Sequence, residues 1–152
     1  MRVGLISDTH GLLRPEALLT LEGVHTILHA GDVGGLAIIR ELEQFAPVHA
    51  VRGNVDDPAL GLPASVQLTF EGLRLHVSHG HELGNPTPGR LAARYQADVI
   101  IYGHTHKPLV EHVAGTLVVN PGAAGPRRFN LGPTVAILTL TDGRATADIV
   151  KL

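Results

Sequence analysis

The fold turns on Val3-Gly4-Leu5-Ile6-Ser7-Asp8-Thr9-His10-Gly11, where a short apolar strand breaks without a spacer into a polar cluster ending in glycine. In an α/β sheet the carboxyl ends of parallel strands form one crevice, and that is where ligands bind. The same construction recurs along the chain. Thr26–His29 runs into Ala30-Gly31-Asp32, and Val48–Val51 into Arg52-Gly53-Asn54 followed by Asp56. Leu73–Val77 runs into Ser78-His79-Gly80-His81, and Val99–Tyr102 into Gly103-His104-Thr105-His106. Each of these strands ends in Asp, Asn or His with glycine alongside, which lets the backbone turn sharply and several loops approach one point.

The segments between these strands set the architecture. Helical spacing covers Pro15 to Leu21, Leu36 to Phe45 and Pro88 to Tyr95, with Thr87 as N-cap of the third. The first third therefore reads as strand–helix–strand–helix–strand, the pattern of parallel βαβ units. Later strands pair as hairpins. Glu71-Gly72 turns Val66–Phe70 back into Leu73–Val77, and Asp142-Gly143 turns Val135–Leu140 into Ala145–Val150; Leu117–Val119 is one more strand. The unbroken apolar run Val99-Ile100-Ile101-Tyr102 predicts burial on both faces. The expected fold is an α/β sandwich, two packed mixed sheets with helices outside, and residues 1–152 are expected to form a single domain.

Composition narrows the chemistry. The chain has 152 residues, 44% of them apolar, with 12 Lys and Arg against 14 Asp and Glu. A near-neutral balance with 3% aromatics argues against nucleic acid as the main substrate and against an anionic membrane surface. The absence of cysteine excludes disulfide scaffolds, thiolate zinc sites, iron–sulfur clusters and cysteine nucleophiles. With no apolar run long enough to cross a bilayer and no signal-peptide pattern, the expected location is cytoplasmic.

Ten histidines stand out in this plain composition. His25, His49 and His112 read as strand-end or solvated residues, and His29 and His76 as core. The remainder gather at the strand ends with the acids, giving Asp8, His10, Asp32, Asn54, His79, His104 and His106 as candidate ligands. That set exceeds the roughly four ligands of one tetrahedral zinc. It suits two divalent ions about 3.5–4 Å apart that share a carboxylate. Nitrogen and oxygen donors without sulfur point to Mn, Fe, Zn, Co or Ni. Any one of these pairs alone has an ordinary explanation in turn or cap chemistry; their repetition at successive strand ends does not.

In this order, Asp8-x-His10, Gly31-Asp32, Gly53-Asn54, His79-Gly80-His81 and Gly103-His104-x-His106 resemble the signature of the calcineurin-like metallophosphoesterase superfamily. Short length and Asn120-Pro121-Gly122 followed by Pro126-Arg127 are similar to its small YfcE-like phosphodiesterases. The resemblance implies a four-layer αββα sandwich and hydrolysis of phosphate esters by in-line attack of a metal-bridging hydroxide. It also implies that Asp8, His10, Asp32 and His106 hold a first metal. Asp32 would bridge, and Asn54, His79 and His104 would complete the second. Asp56 keeps the acidic position of the asparagine motif. His81 and Arg127, with Arg128 beside it, are candidate contacts for a small phosphate-ester substrate, and the resemblance implies dimers or larger homo-oligomers.

Two positions depart from the pattern. Family phosphatases carry histidine after the asparagine, proposed to protonate the leaving alkoxide; here Val55 stands there and cannot. Poor leaving groups should suffer most, so aryl diesters are expected to react better than alkyl monoesters. Ala123 replaces the serine that follows Asn-Pro-Gly in related chains. Two other readings compete with a diesterase. One is a nucleotide phosphatase or pyrophosphatase of the same superfamily. The other is a non-catalytic protein-binding scaffold like the eukaryotic retromer subunit that shares this fold, although His10 and every other ligand position are retained here.

Overall fold

Alternation along each strand decides which layer a side chain enters. The computed structural model describes residues 1–152. Strands β1 (Arg2–Ile6), β2 (Thr26–His29), β3 (Val48–Ala50), β9 (Thr134–Thr141) and β10 (Arg144–Lys151) form one sheet in the order β10-β9-β1-β2-β3. Strands β4 (Ser65–Phe70), β5 (Leu73–Ser78), β6 (Val99–Ile101), β7 (Leu109–Val113) and β8 (Thr116–Asn120) form the other, in the order β4-β5-β6-β8-β7. Parallel pairing joins β1, β2 and β3 in the first sheet and β5, β6 and β8 in the second, so both sheets are mixed.

Val3 and Leu5 enter a core between the sheets with Leu28, Val77, Ile101 and Leu138, all at most 1% exposed. Ile6 and Ile27 point the other way, into a second core with Leu21 of helix α1 (Pro15–Leu21) and Leu42 of helix α2 (Leu36–Leu42). Ile100 and Val118 meet Leu91 of helix α3 (Pro88–Arg94) on the outer face of the second sheet. Three apolar layers thus separate four layers of structure, the expected αββα sandwich. Each fully buried leucine contributes about 2 kcal/mol by transfer alone. Gly4 lets α1 approach β1, since a Cβ there would lie 2.6 Å from Leu21. No helix is long and apolar enough to cross a membrane.

Differences from the sequence reading have local causes. Helix α2 stops at Leu42 rather than Phe45, because Pro47 disfavours helical backbone before it and the last turn tightens, with Phe45 N–H donating to Leu42 C=O at 3.0 Å. Strand β7, absent from that reading, is a mostly exposed edge strand paired with β8. Its turn is Ala114-Gly115, and Ala114 takes φ +49°, a conformation alanine seldom signals. Two 3₁₀ turns, Pro58–Leu60 and His81–Leu83, also occur.

Candidate metal centre

Parallel pairing continues past the strand ends and brings the loops together. Asp8 N–H donates to Gly31 C=O at 3.0 Å, His10 N–H to Asp32 C=O at 2.9 Å and Gly103 N–H to His79 C=O at 3.0 Å. Close approach needs the neighbouring glycines. A Cβ on Gly53 would overlap the Asp32 carboxylate, and one on Gly103 would overlap Ser7 and crowd Asp8. Neither glycine has positive φ, so space is what excludes a side chain there. By contrast Asp8, His10, Asp32, His104 and His106 all hold left-handed backbone, with φ between +46° and +69°. Each such residue costs of order 1–2 kcal/mol and persists only where its surroundings impose it.

These loops form two clusters with Asp8 in common. Asp8, His10 and His106 make one, and Asp8, Asp32 and His79 the other, each with ligand atoms within 4.8 Å of one another. Asp8 Oδ1 faces Nε2 of His106 at 3.3 Å, of His10 at 3.8 Å and of His79 at 3.9 Å. Asp32 Oδ2 lies between His79 Nε2 at 3.2 Å and His10 Nε2 at 3.8 Å. Each carboxylate therefore stands between a histidine of one cluster and a histidine of the other.

The outer edges of the clusters are satisfied and the inner edges are not. Ser7 Oγ and His104 N–H donate to Asp8 Oδ2 at 2.6 and 3.2 Å, and Val55 N–H donates to Asp32 Oδ1 at 3.1 Å. Asp8 Oδ1, His10 Nε2 and His79 Nε2 are buried without a hydrogen-bond partner. His79 is the most telling. Its Nδ1–H donates to Ala30 C=O at 2.7 Å, which fixes the tautomer and turns the bare Nε2 toward both carboxylates. A lone pair held against carboxylates needs a cation between them. Donors about 2.1 Å from a common ion lie about 3.0–3.4 Å apart, close to the separations at His79 and His106. The donor set fits a divalent transition metal.

Electrostatics agree. Burial opposes the Asp32 charge, but the adjoining His79 imidazole, the N–H bond from Val55 and nearby His10 outweigh it and hold the carboxyl down at about 2. Burial likewise opposes a charged His79, yet Asp32 and Asp8 prevail and its pKa is raised. His10 and His104 go the other way: burial dominates and keeps both neutral, the form in which imidazole binds metal.

The other expected site residues take distinct places. His104 is half-buried, its ring 5.2 Å from that of His79. Asn54 is exposed beside Val55, whose own side chain is 62% exposed. Both stand at the margin of the two clusters. Buried Asp56 accepts N–H bonds from Val33, Gly34 and Gly53 at 2.9–3.1 Å, tying the loops after β2 and β3 together. His81 is half-buried, with its ring 5.4 Å from His79 and its Nδ1 3.9 Å from Glu82. Arg127 lines a cavity of about 400 Å³ with Asn130, Thr134 and Lys151, and none of the candidate ligands lines it.

Several contributors carry no sequence signal of their own. Asn120 donates from Nδ2 to Gly103 C=O and Thr105 Oγ1, both at 3.0 Å, and so buttresses the His104–His106 loop. Buried His29 accepts Gly31 N–H on Nδ1 and shares Nε2 with Thr9 Oγ1 at 2.9 Å, locking β1 to β2. Phe129 sets its ring edge-on to His106, centroids 6.1 Å apart.

Known proteins match this architecture. The calcineurin-like phosphoesterase superfamily domain matches residues 1–143. A probable metallophosphoesterase of Methanothermobacter thermautotrophicus is 35% identical, with 99% of this chain aligned to 92% of that one. The phosphodiesterase YfcE of Escherichia coli K12 is 34% identical over 81% of this chain and 79% of its own. Among solved structures, Vps29 of Entamoeba histolytica complexed with zinc superposes with a TM-score of 0.82 at 26% identity, covering 99% of both chains. By sequence and fold together, the chain belongs to the calcineurin-like phosphoesterase superfamily and is a hydrolase acting on phosphate esters.

Proposed function

We propose that residues 1–152 work as one phosphodiesterase domain that holds two divalent transition metals and hydrolyses a small phosphate diester in the cytoplasm. The observation that carries this reading is Asp8 Oδ1, buried and without a hydrogen-bond partner while three imidazole Nε2 atoms face it. His10 and His106 would hold one ion with Asp8, and His79 the other, with Asp32 between them and Asn54 and His104 completing the second set. Manganese, iron, zinc, cobalt and nickel all suit these donors. Bound metal supplies a nucleophilic oxygen at neutral pH and positive charge for the phosphate oxygens.

The chain's own residues then shape the reaction. Asp56 and the Ser7 and His104 contacts to Asp8 fix the ligand loops, and the His79–Ala30 hydrogen bond orients one imidazole. Val55 offers no proton to a departing alkoxide, so the leaving group must depart without help at that position. Aryl diesters meet that demand and alkyl monoesters do not.

The test is to strip the protein of metal, reload it with each candidate ion, and compare bis-p-nitrophenyl phosphate, p-nitrophenyl phosphate and a cyclic nucleotide. Two ions bound per chain and diester turnover abolished by His104→Ala are the expected results. Turnover retained in His104→Ala would remove the site. The likeness to Vps29 favours a second reading, a protein-binding scaffold; two bound metals with no hydrolysis of any ester would decide for it.

A further inference from the structure

Phe129 is the most exposed large apolar side chain of the molecule, at 77%, in a chain with 3% aromatics. Its backbone is unfavourable as well. Phe129 and Asn130 have φ of +55° and +60° in a tight turn closed by the Arg128–Leu131 bridge. The other two-residue turns with a left-handed first residue, at His10, Glu71, Ala114 and Asp142, each place glycine second; this one has none. A phenylalanine in left-handed backbone with its ring in water gains nothing for the fold. Its position is what distinguishes it, since the ring stands edge-on to His106 at the mouth of the metal centre.

Arg128, the preceding residue, is exposed, and its guanidinium has no ion pair or hydrogen bond within the chain; the one Arg–carboxylate pair is Arg74–Asp98. Arg128 is joined directly to Phe129 in the turn closed by the Arg128–Leu131 bridge. A free cation and an exposed aromatic ring are thus adjacent in one turn whose Phe129 stands beside His106.

We propose that the Arg128–Phe129 tip is the substrate-recognition element of this site: the guanidinium meets the anionic phosphodiester, and the Phe129 ring stacks on an aromatic group carried by one of its alcohols. The inference rests on the phosphoesterase reading and names its substrate class, a phosphodiester bearing an aryl group or a nucleobase. It is separate from the effect of Val55, which acts on leaving-group departure and therefore on kcat; the tip acts on binding.

Phosphonates separate the two effects because they keep the anionic head and have no ester bond to break. Calorimetric titration of the manganese-loaded protein with phenylphosphonate and methylphosphonate should show a phenyl preference of about fivefold, the size of one aromatic stack. Phe129→Leu should bring the two affinities together, Phe129→Trp should keep the preference, and Arg128→Gln should weaken both ligands equally. With substrates, Phe129→Leu should raise KM and leave kcat within about twofold. Whether KM rises more for bis-p-nitrophenyl phosphate or for a cyclic nucleotide identifies the ring as aryl or base. Equal preference in wild type and Phe129→Leu, or no preference in wild type, would overturn the tip. A phenyl preference that disappears in Phe129→Leu, in a protein that hydrolyses no ester, would keep the ring contact and remove the enzymatic reading.

Discussion

Ten residues other than glycine hold left-handed backbone, and they fall into two groups. Glu71, Ala114, Phe129, Asn130 and Asp142 lie at turn tips; Asp8, His10, Asp32, His104 and His106 lie in the candidate metal centre. At three of the turn tips the conformation is local: the next residue is glycine, the strands on either side pair, and a two-residue turn needs it. In the centre only His10 lies in such a turn, ahead of Gly11 and closed by Leu12 N–H to Thr9 C=O at 2.9 Å. At Asp8, Asp32, His104 and His106 the conformation goes with hydrogen bonds between loops far apart in sequence, such as Asp8 N–H to Gly31 C=O and His104 N–H to Asp8 Oδ2. The same φ therefore has two origins, and they should respond differently when their supports are removed.

The largest effect is expected at Asp56, which holds the loop just after left-handed Asp32. Its carboxylate accepts from Val33, Gly34 and Gly53, and Asp56→Ala would leave these N–H groups, two of them buried, without acceptors. Stability should fall by about 3 kcal/mol, read from urea unfolding of the metal-free protein. Metal affinity should fall by about 10–100-fold through the displaced Asp32, read by titration. If affinity were unchanged while stability fell, the left-handed Asp32 would be as local as a hairpin tip.

The same contrast explains what could be read from the sequence. Strand ends with Asp or His beside glycine are periodic and close to their strands, so the residues of the two clusters, Asp8, His10, His106, Asp32 and His79, both mixed sheets and three helices were legible. Two hairpins were legible because Glu71-Gly72 and Asp142-Gly143 are familiar turn pairs. The Ala114 hairpin was not, since alanine gives no turn signal and β7 buries little. Asn120 is visible in the sequence only as part of Asn120-Pro121-Gly122; its support of Gly103 and Thr105 spans 15 and more residues, and nothing local shows it. Phe129 escaped notice because a lone phenylalanine after two arginines reads as ordinary loop until its ring is seen against His106.

His29 offers a milder probe of the same loop contacts. Burial lowers its pKa to about 4, with the nearby acids opposing, so it stays neutral in the folded chain. In the unfolded chain it regains a value near 6.5. Between these values the unfolded state binds more protons, so its contribution is complete above pH 6.5 and is lost as pH falls toward 4. From pH 7 to pH 5 the metal-free protein should lose about 2 kcal/mol from this group. His29→Gln should flatten that slope in urea melts at stepped pH. A slope equally steep in the variant would assign the acid sensitivity to other groups.

The smallest effect belongs to a turn tip. Ala114 carries φ +49° ahead of Gly115, and its Cβ makes that backbone unfavourable. Asparagine tolerates the same conformation and forms the favoured Asn-Gly turn. Unlike glycine, it adds little freedom to the unfolded chain. Ala114→Asn should therefore raise stability by about 0.5 kcal/mol in urea unfolding. Diester turnover and metal stoichiometry should not change, because the β7–β8 turn lies at the opposite end of β8 from Asn120. A left-handed residue that can be relieved by one local substitution, without cost to the site, is set by its turn. Loss of metal from Ala114→Asn would instead tie this hairpin to the loops that hold Asp8 and His106.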